Sequence, residues 1–140
     1  MVAVTGASGA PYSRRLLECL ARAGVEVHLV ISPYGKRLFA DEMDIQDPTP
    51  ARLVGPELGS RIQLHPYRDV GDRLASGSFL TDGMIVCPCS GNTLGEIAAG
   101  LGANLISRAA AVHLKERRRL ILVPREMPMS QIEIENMLRI

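Results

Sequence analysis

Two short runs of small polar residues stand where chemistry would be done. Thr5-Gly6-Ala7-Ser8-Gly9 and Ser90-Gly91-Asn92-Thr93 each follow an apolar run and open a helical pattern. Backbone N–H groups at a helix start, with hydroxyls beside them, hold anions and polar cofactors. The first run lacks the third glycine of a dinucleotide fingerprint and the Gly-Lys-Ser/Thr of a phosphate loop. It therefore suits one phosphate of a mononucleotide, held by backbone N–H groups and the Ser8 hydroxyl. Its glycines would equally serve a plain tight turn, and Ser90 or Asn92 would equally cap a helix. A third feature is Arg125-Glu126, placed after an apolar strand expected to be buried. A guanidinium there suits a phosphate or a polarised carbonyl. The carboxylate beside it suits proton exchange, with a structural ion pair as the plain alternative. Glu42, in Ala40-Asp41-Glu42-Met43-Asp44, reads as an ordinary surface acid.

Other chemistries find little support. Cys87 and Cys89 flank a proline and lack redox or zinc spacing. They read as small packers at a strand end. Cys19 makes the count odd, which fits a reducing compartment rather than a disulfide framework. His28, His65 and His113 are scattered, so no metal is expected. No Ser/His/Asp order and no Cys–His pair stands out. The net charge of +1 and the aromatic content of 4% argue against a nucleic-acid surface. The one basic cluster, Lys115-Glu116-Arg117-Arg118-Arg119, reads equally as a solvated helix end.

The elements that must position these residues alternate. Met1 to Val4 predicts a strand and Pro11 to Ala23 a helix, with Gly24 at the C-terminal cap. Val25 to Ile31 predicts a strand buried on both faces. Ser32 then caps a helix that has Pro33 at its first position. Asp44 to Ser78 predicts loop, apart from a short strand near Arg61 to His65. A strand Met84 to Cys87, a helix Leu94 to Gly100, a helix from about Asn104 to Arg117, a strand Leu120 to Val123 and a helix from about Ser130 complete the order. At 140 residues this is one α/β domain, a doubly wound and mostly parallel sheet in a Rossmann/flavodoxin-like three-layer sandwich. Right-handed crossovers put the strand ends on one side, gathering Gly6 to Gly9, Ser32, Cys89 to Thr93 and Pro124 to Glu126. The last helix ends at Ile140 without a stop signal, so a C-terminal segment is expected to be missing. No run suits a membrane span and no signal peptide opens the chain, so a cytoplasmic location is expected.

The chain resembles the UbiX-type flavin prenyltransferases, within the homo-oligomeric flavin-containing cysteine decarboxylase family. The resemblance rests on TGASGA at Thr5 to Ala10, SPYGK at Ser32 to Lys36, ASGS at Ala75 to Ser78 and MIVCPCSGNTLGEIAAG at Met84 to Gly100. It continues through NLISRAA at Asn104 to Ala110, LKERRRLILVPRE at Leu114 to Glu126 and IENML at Ile134 to Leu138. It implies transfer of the dimethylallyl group of dimethylallyl phosphate to reduced FMN, first at N5 and then at C6, without a metal. The prenylated FMN would serve UbiD-type decarboxylases, as in ubiquinone biosynthesis, and the assembly would be a dodecamer. By position, Gly6, Ala7, Ser8, Ser32, Ser90, Gly91, Asn92, Thr93 and Arg125 would hold FMN. Lys115, Arg125 and Glu126, with Arg108 from a neighbouring subunit, would meet the prenyl phosphate. Ser8, Glu42 and Glu126 would handle protons. The chain departs from the family at Ala111, where an acid is usual, and at Glu133, where a histidine is common. The family's C-terminal tail would add a tyrosine and an arginine to the phosphate pocket. Two other readings stand beside this one: an FMN-dependent decarboxylase of a cysteine-derived carboxylate, and a non-catalytic flavin-binding subunit. The absence of histidine from Gly6 to Gly24 counts against the first.

Overall fold

A computed structural model describes residues 1–140. Its elements run in the order β1 (Val2–Val4), α1 (Ala10–Arg22), β2 (Val27–Ile31), α2 (Pro33–Met43), α3 (Pro50–Val54), α4 (Pro56–Gly59), β3 (Ile62–His65), a 3-10 turn (Arg73–Ala75), β4 (Gly83–Cys89), α5 (Gly91–Ala98), α6 (Leu105–Lys115), β5 (Arg119–Pro124) and α7 (Gln131–Arg139). Every strand pair is parallel, and the order across the sheet is β3-β2-β1-β4-β5. The chain winds outward from β1 to β3, then returns to the other side of β1 for β4. That reversal opens a crevice at the carboxyl ends of β1 and β4, where α/β sheets bind their ligands.

Period-two alternation divides the core between the two faces of the sheet. Val2, Val4, Val27, Leu29 and Ile31 point to the side covered by α1 and α2, where Leu17 and Phe39 are fully buried. Ala3, Val30, Met84 and Val86 point to the other side, under Leu94, Ile97, Leu105, Ile106 and Ala109 of α5 and α6. All of β2 is buried, as its Val/Leu/Ile content predicts. Gly35 is required by close approach, since a Cβ there would sit 2.6 Å from the Val4 carbonyl oxygen. It seats the start of α2 directly on the end of β1. No helix is long and apolar enough to cross a membrane.

The structure departs from the sequence reading in two places. Asp44 to Ser78 is not loop throughout apart from β3, because it also holds α3, α4 and the 3-10 turn. These helices are four or five residues long, too short for a periodic signal. Thr49 caps the first by accepting from the Arg52 N–H, and Leu53 anchors it in the core. The strand before Arg125 is not buried either. β5 is the sheet edge, with Ile121 and Val123 exposed. An apolar run is what an edge strand and an inner strand share, so the run alone does not separate them.

Two histidines make stability depend on pH. Burial, foremost, holds both His28 and His113 below the ordinary imidazole value of 6.5. The native state keeps them neutral, while the unfolded chain takes up protons as pH falls through 6.5. Their contribution is therefore intact above pH 6.5 and lost progressively below it. Urea midpoints measured from pH 7.5 to 5.5 should fall only on the acid side of that range.

Candidate active site

The two polar runs meet at the crevice. Thr5, 1% exposed, joins them. Its hydroxyl donates to the Pro88 carbonyl at 2.9 Å and accepts from the Ser90 N–H at 2.8 Å. Its own N–H reaches the same carbonyl at 3.2 Å. This clamp draws the end of β1 and the start of α5 into one surface. Ser90 caps α5 by accepting from the Thr93 N–H, so the capping alternative is realised. Ser32 likewise caps α2, accepting from the Gly35 N–H at 3.0 Å. A cleft of about 360 Å3 lies between them, lined by Gly6, Ser32, Pro33, Tyr34, Tyr67, Ser90, Asn92, Thr93 and Glu96. Larger hollows exist, one beside this cleft at Lys36 and Arg68 and one at the opposite edge of the sheet. The smaller cleft is the better candidate because the capped helix starts converge on it.

Glu42 is not an ordinary surface acid. Its carboxylate accepts from the Gly9 N–H at 3.1 and 3.2 Å and from the Ala10 N–H at 2.8 Å. Gly9, at a φ of 137°, gives the turn the conformation that aims these donors at α2. Burial resists ionisation, but the Ser8 hydroxyl, the Ala10 and Gly9 N–H groups and the Arg125 charge outweigh it. They hold the carboxyl below its ordinary range. The donors expected to cradle a phosphate at the start of α1 thus serve a carboxylate of the protein itself. Within that turn the Gly6 and Ser8 N–H groups are left for a ligand. Glu42 is thus held by backbone donors, with the Ser8 hydroxyl and the Arg125 charge also favouring its ionised form.

The remaining residues divide. Arg125 and Glu126 are exposed just past β5 and make no ion pair with each other. Glu126 accepts instead from the Met127 N–H. Arg108 lies exposed in the first turn of α6. Lys115 ends that helix, paired with Glu116 at 3.5 Å. A helix rises about 1.5 Å per residue, so Lys115 lies about 10 Å along the axis from Arg108, toward the amino edge of the sheet where β5 begins. One chain does not bring Lys115 to Arg125. In the basic cluster, Arg118 is structural, donating to the Phe79 carbonyl at 2.8 Å and to that of Gly77. Glu133, at the departure from the family pattern, closes a capping box with Ser130. That bonding accounts for an acid at that position.

Sequence reasoning missed Tyr67 and Glu96 in the cleft, and Thr5 as the clamp. Thr5 stood beside the selected glycines and Glu96 beside the selected Thr93. Tyr67 carried no signal, because it lies in a segment read as loop. Glu96 accepts from Asn104 at 2.8 Å. Burial first, then the Glu96 charge, raises the Tyr67 phenol above its ordinary range, so it stays a neutral donor.

The cysteines are packing residues. Cys89 is fully buried and its thiol is pushed up to about 12, while burial also raises Cys87. Iodoacetamide at pH 8 should modify exposed Cys19 in the native protein and leave the other two until it unfolds, as read by peptide mass spectrometry. No group of three or more His, Cys, Asp or Glu is arranged to hold a metal ion.

A doubly wound parallel sheet with hydroxyl-rich loops at its reversal defines a nucleotide-cofactor-binding α/β protein. Known proteins narrow that class. The flavin prenyltransferase UbiX of Halalkalibacterium halodurans is 44% identical over 143 residues, covering 99% of this chain and 69% of that protein. A solved dodecameric FMN-dependent UbiX-like decarboxylase from Escherichia coli is similar at a TM-score of 0.88 and 45% identity, covering 99% of this chain and 72% of that one. A structure of AnUbiX in complex with FMN and dimethylallyl pyrophosphate is similar at a TM-score of 0.86 and 43% identity, covering 99% and 70%. The chain belongs to the Flavoprotein family, whose model matches residues 1–140, and to its UbiX-type flavin prenyltransferase branch.

Proposed function

We propose that this chain transfers a dimethylallyl group from dimethylallyl phosphate to reduced FMN. The observation that carries the residue assignment is the Glu42 carboxylate held by the Gly9 and Ala10 N–H groups at the start of α1, the turn that carries Ser8. In the reaction the allylic C–O bond breaks, a C–N bond forms at flavin N5, and closure at C6 adds a ring. The flavin lies in the cleft between Ser32 and Asn92, with Gly6, Ala7, Ser8, Ser90, Gly91, Thr93 and Arg125 around it. Charge develops on the departing phosphate, and fixed cations stabilise it most where water is excluded. Arg125 supplies one such cation, with Glu126 beside it. Arg108 reaches the phosphate from a neighbouring copy, as the family pattern implies, and so does Lys115, which lies at the far end of α6 from the crevice.

A homo-oligomer follows from that division, and we propose a dodecamer like the E. coli relative. Exposed apolar residues support a partner surface: Ile132 and Leu138 on α7 are 70% and 82% exposed, and the β5 edge is uncovered. The product is delivered to a UbiD-type decarboxylase, and the protein works in the cytoplasm.

The test is incubation with reduced FMN and dimethylallyl phosphate, followed by mass spectrometry for a five-carbon adduct of the flavin. An FMN-loaded protein that yields no adduct sinks the transferase reading and leaves a flavin-binding subunit. Loss of carbon dioxide from a cysteine-terminated peptide would instead identify a decarboxylase.

A further inference from the structure

On the α6 side of the sheet, three side chains form a buried line that the transfer reaction does not use. His65 Nδ1 lies 2.7 Å from Asp72 Oδ2, and His65 Nε2 lies 3.0 Å from His28 Nδ1. Both imidazoles are buried, at 5% and 7% exposure. The carboxylate only accepts, so His65 carries its proton on Nδ1 and offers Nε2 as an acceptor. His28 must then donate from Nδ1, leaving its Nε2 bare at 3.7 Å from Glu26.

The line ends on a segment that borders the cleft. Asp72 also accepts from the Leu74 N–H at 2.9 Å and caps the 3-10 turn. Between His65 and Asp72 the chain carries Tyr67, a wall of the cleft, whose carbonyl accepts from the Leu105 N–H. Beyond the turn lie Ser76-Gly77-Ser78, held from the other side by Arg118.

We propose that Asp72, His65 and His28 are positioning residues that hold the Tyr67 wall of the flavin cleft, and that the wall stays in place only while the two imidazoles together carry at most one proton beyond their neutral forms. A bond from nitrogen to nitrogen needs one lone pair, so a second proton sets N–H against N–H. At His28 burial foremost, then His65, Arg73 and the Met1 ammonium, oppose a proton, whereas Glu26 favours it. This inference rests on the cleft being the FMN site.

FMN titration, followed by flavin fluorescence, tests both levels separately. Wild-type protein that binds no FMN would remove the site reading, and this inference with it. If the wild type binds, His65→Phe and Asp72→Ala should each weaken FMN by about tenfold, the loss of one buried charge-assisted bond. The wild type should also lose affinity as pH falls below 6.5, the ordinary imidazole value beneath which burial holds His28. His28→Phe leaves a single imidazole on Asp72 and should abolish that additional loss. Wild-type affinity in folded Asp72→Ala, or an unchanged pH profile in His28→Phe, overturns the proposal even if His65→Phe does not fold.

Discussion

Glu42→Gln should slow prenyl transfer by about two to three orders of magnitude while leaving the affinity for FMN within about threefold. Glutamine keeps the shape of the side chain and one oxygen acceptor. It replaces the second oxygen with an NH2 group that would face the Gly9 or Ala10 N–H, both now bonded to the carboxylate. The variant also loses the negative charge beside Ser8 and Arg125 that a proton acceptor requires. The cleft proposed for the flavin is walled by other residues, so binding and turnover should separate. Pre-steady-state adduct formation, with a parallel FMN titration, measures the split. A Glu42→Gln protein that turns over normally would remove Glu42 from the mechanism.

Thr5→Val should cost about 3 kcal/mol of stability and displace both cleft loops together. Valine nearly preserves the volume, so the effect isolates the hydroxyl. That hydroxyl is the only side-chain group joining the end of β1 to the start of α5, through one donated and one accepted bond. Its loss leaves the half-buried Ser90 N–H without a partner and the buried Pro88 carbonyl with the Thr5 N–H alone. About 1 kcal/mol per bond, plus the desolvation of an orphaned N–H, makes up the figure. FMN affinity should fall with it, since Gly6 and Ser90 line the same cleft from the two sides of the clamp. Denaturation midpoints of Thr5→Val and Thr5→Ser, compared at one protein concentration, decide the point. Equal stability of the valine variant and the wild type would contradict the clamp.

These two residues show how far the sequence could be read. The polar run at Thr5 to Gly9 was visible as a turn, and its family resemblance placed Ser8 at the reaction. What it bonds to was not visible. The anion at the start of α1 is Glu42, 32 or 33 residues away along the chain. Nothing local marks that glutamate, since a helix end rich in acids is also how an ordinary solvated surface looks. Lys115 shows the opposite case. Its motif is specific, yet α6 carries it away from the crevice of its own chain, which no local pattern records.

The sequence by itself determined the alternating strands and helices, the capping serine at Ser32, the capping alternative at Ser90, and the burial of β2 on both faces. Each of these follows from contacts within a few residues, which periodicity and cap chemistry record directly. Only the tertiary structure decided which strand lies at the edge, which donors are already spent, and which distant side chains close the site. The bonds of Thr5 span 83 and 85 residues. Such pairings exist because parallel crossovers return every strand end to one side of the sheet. That geometry belongs to the assembled sheet and to no segment of it.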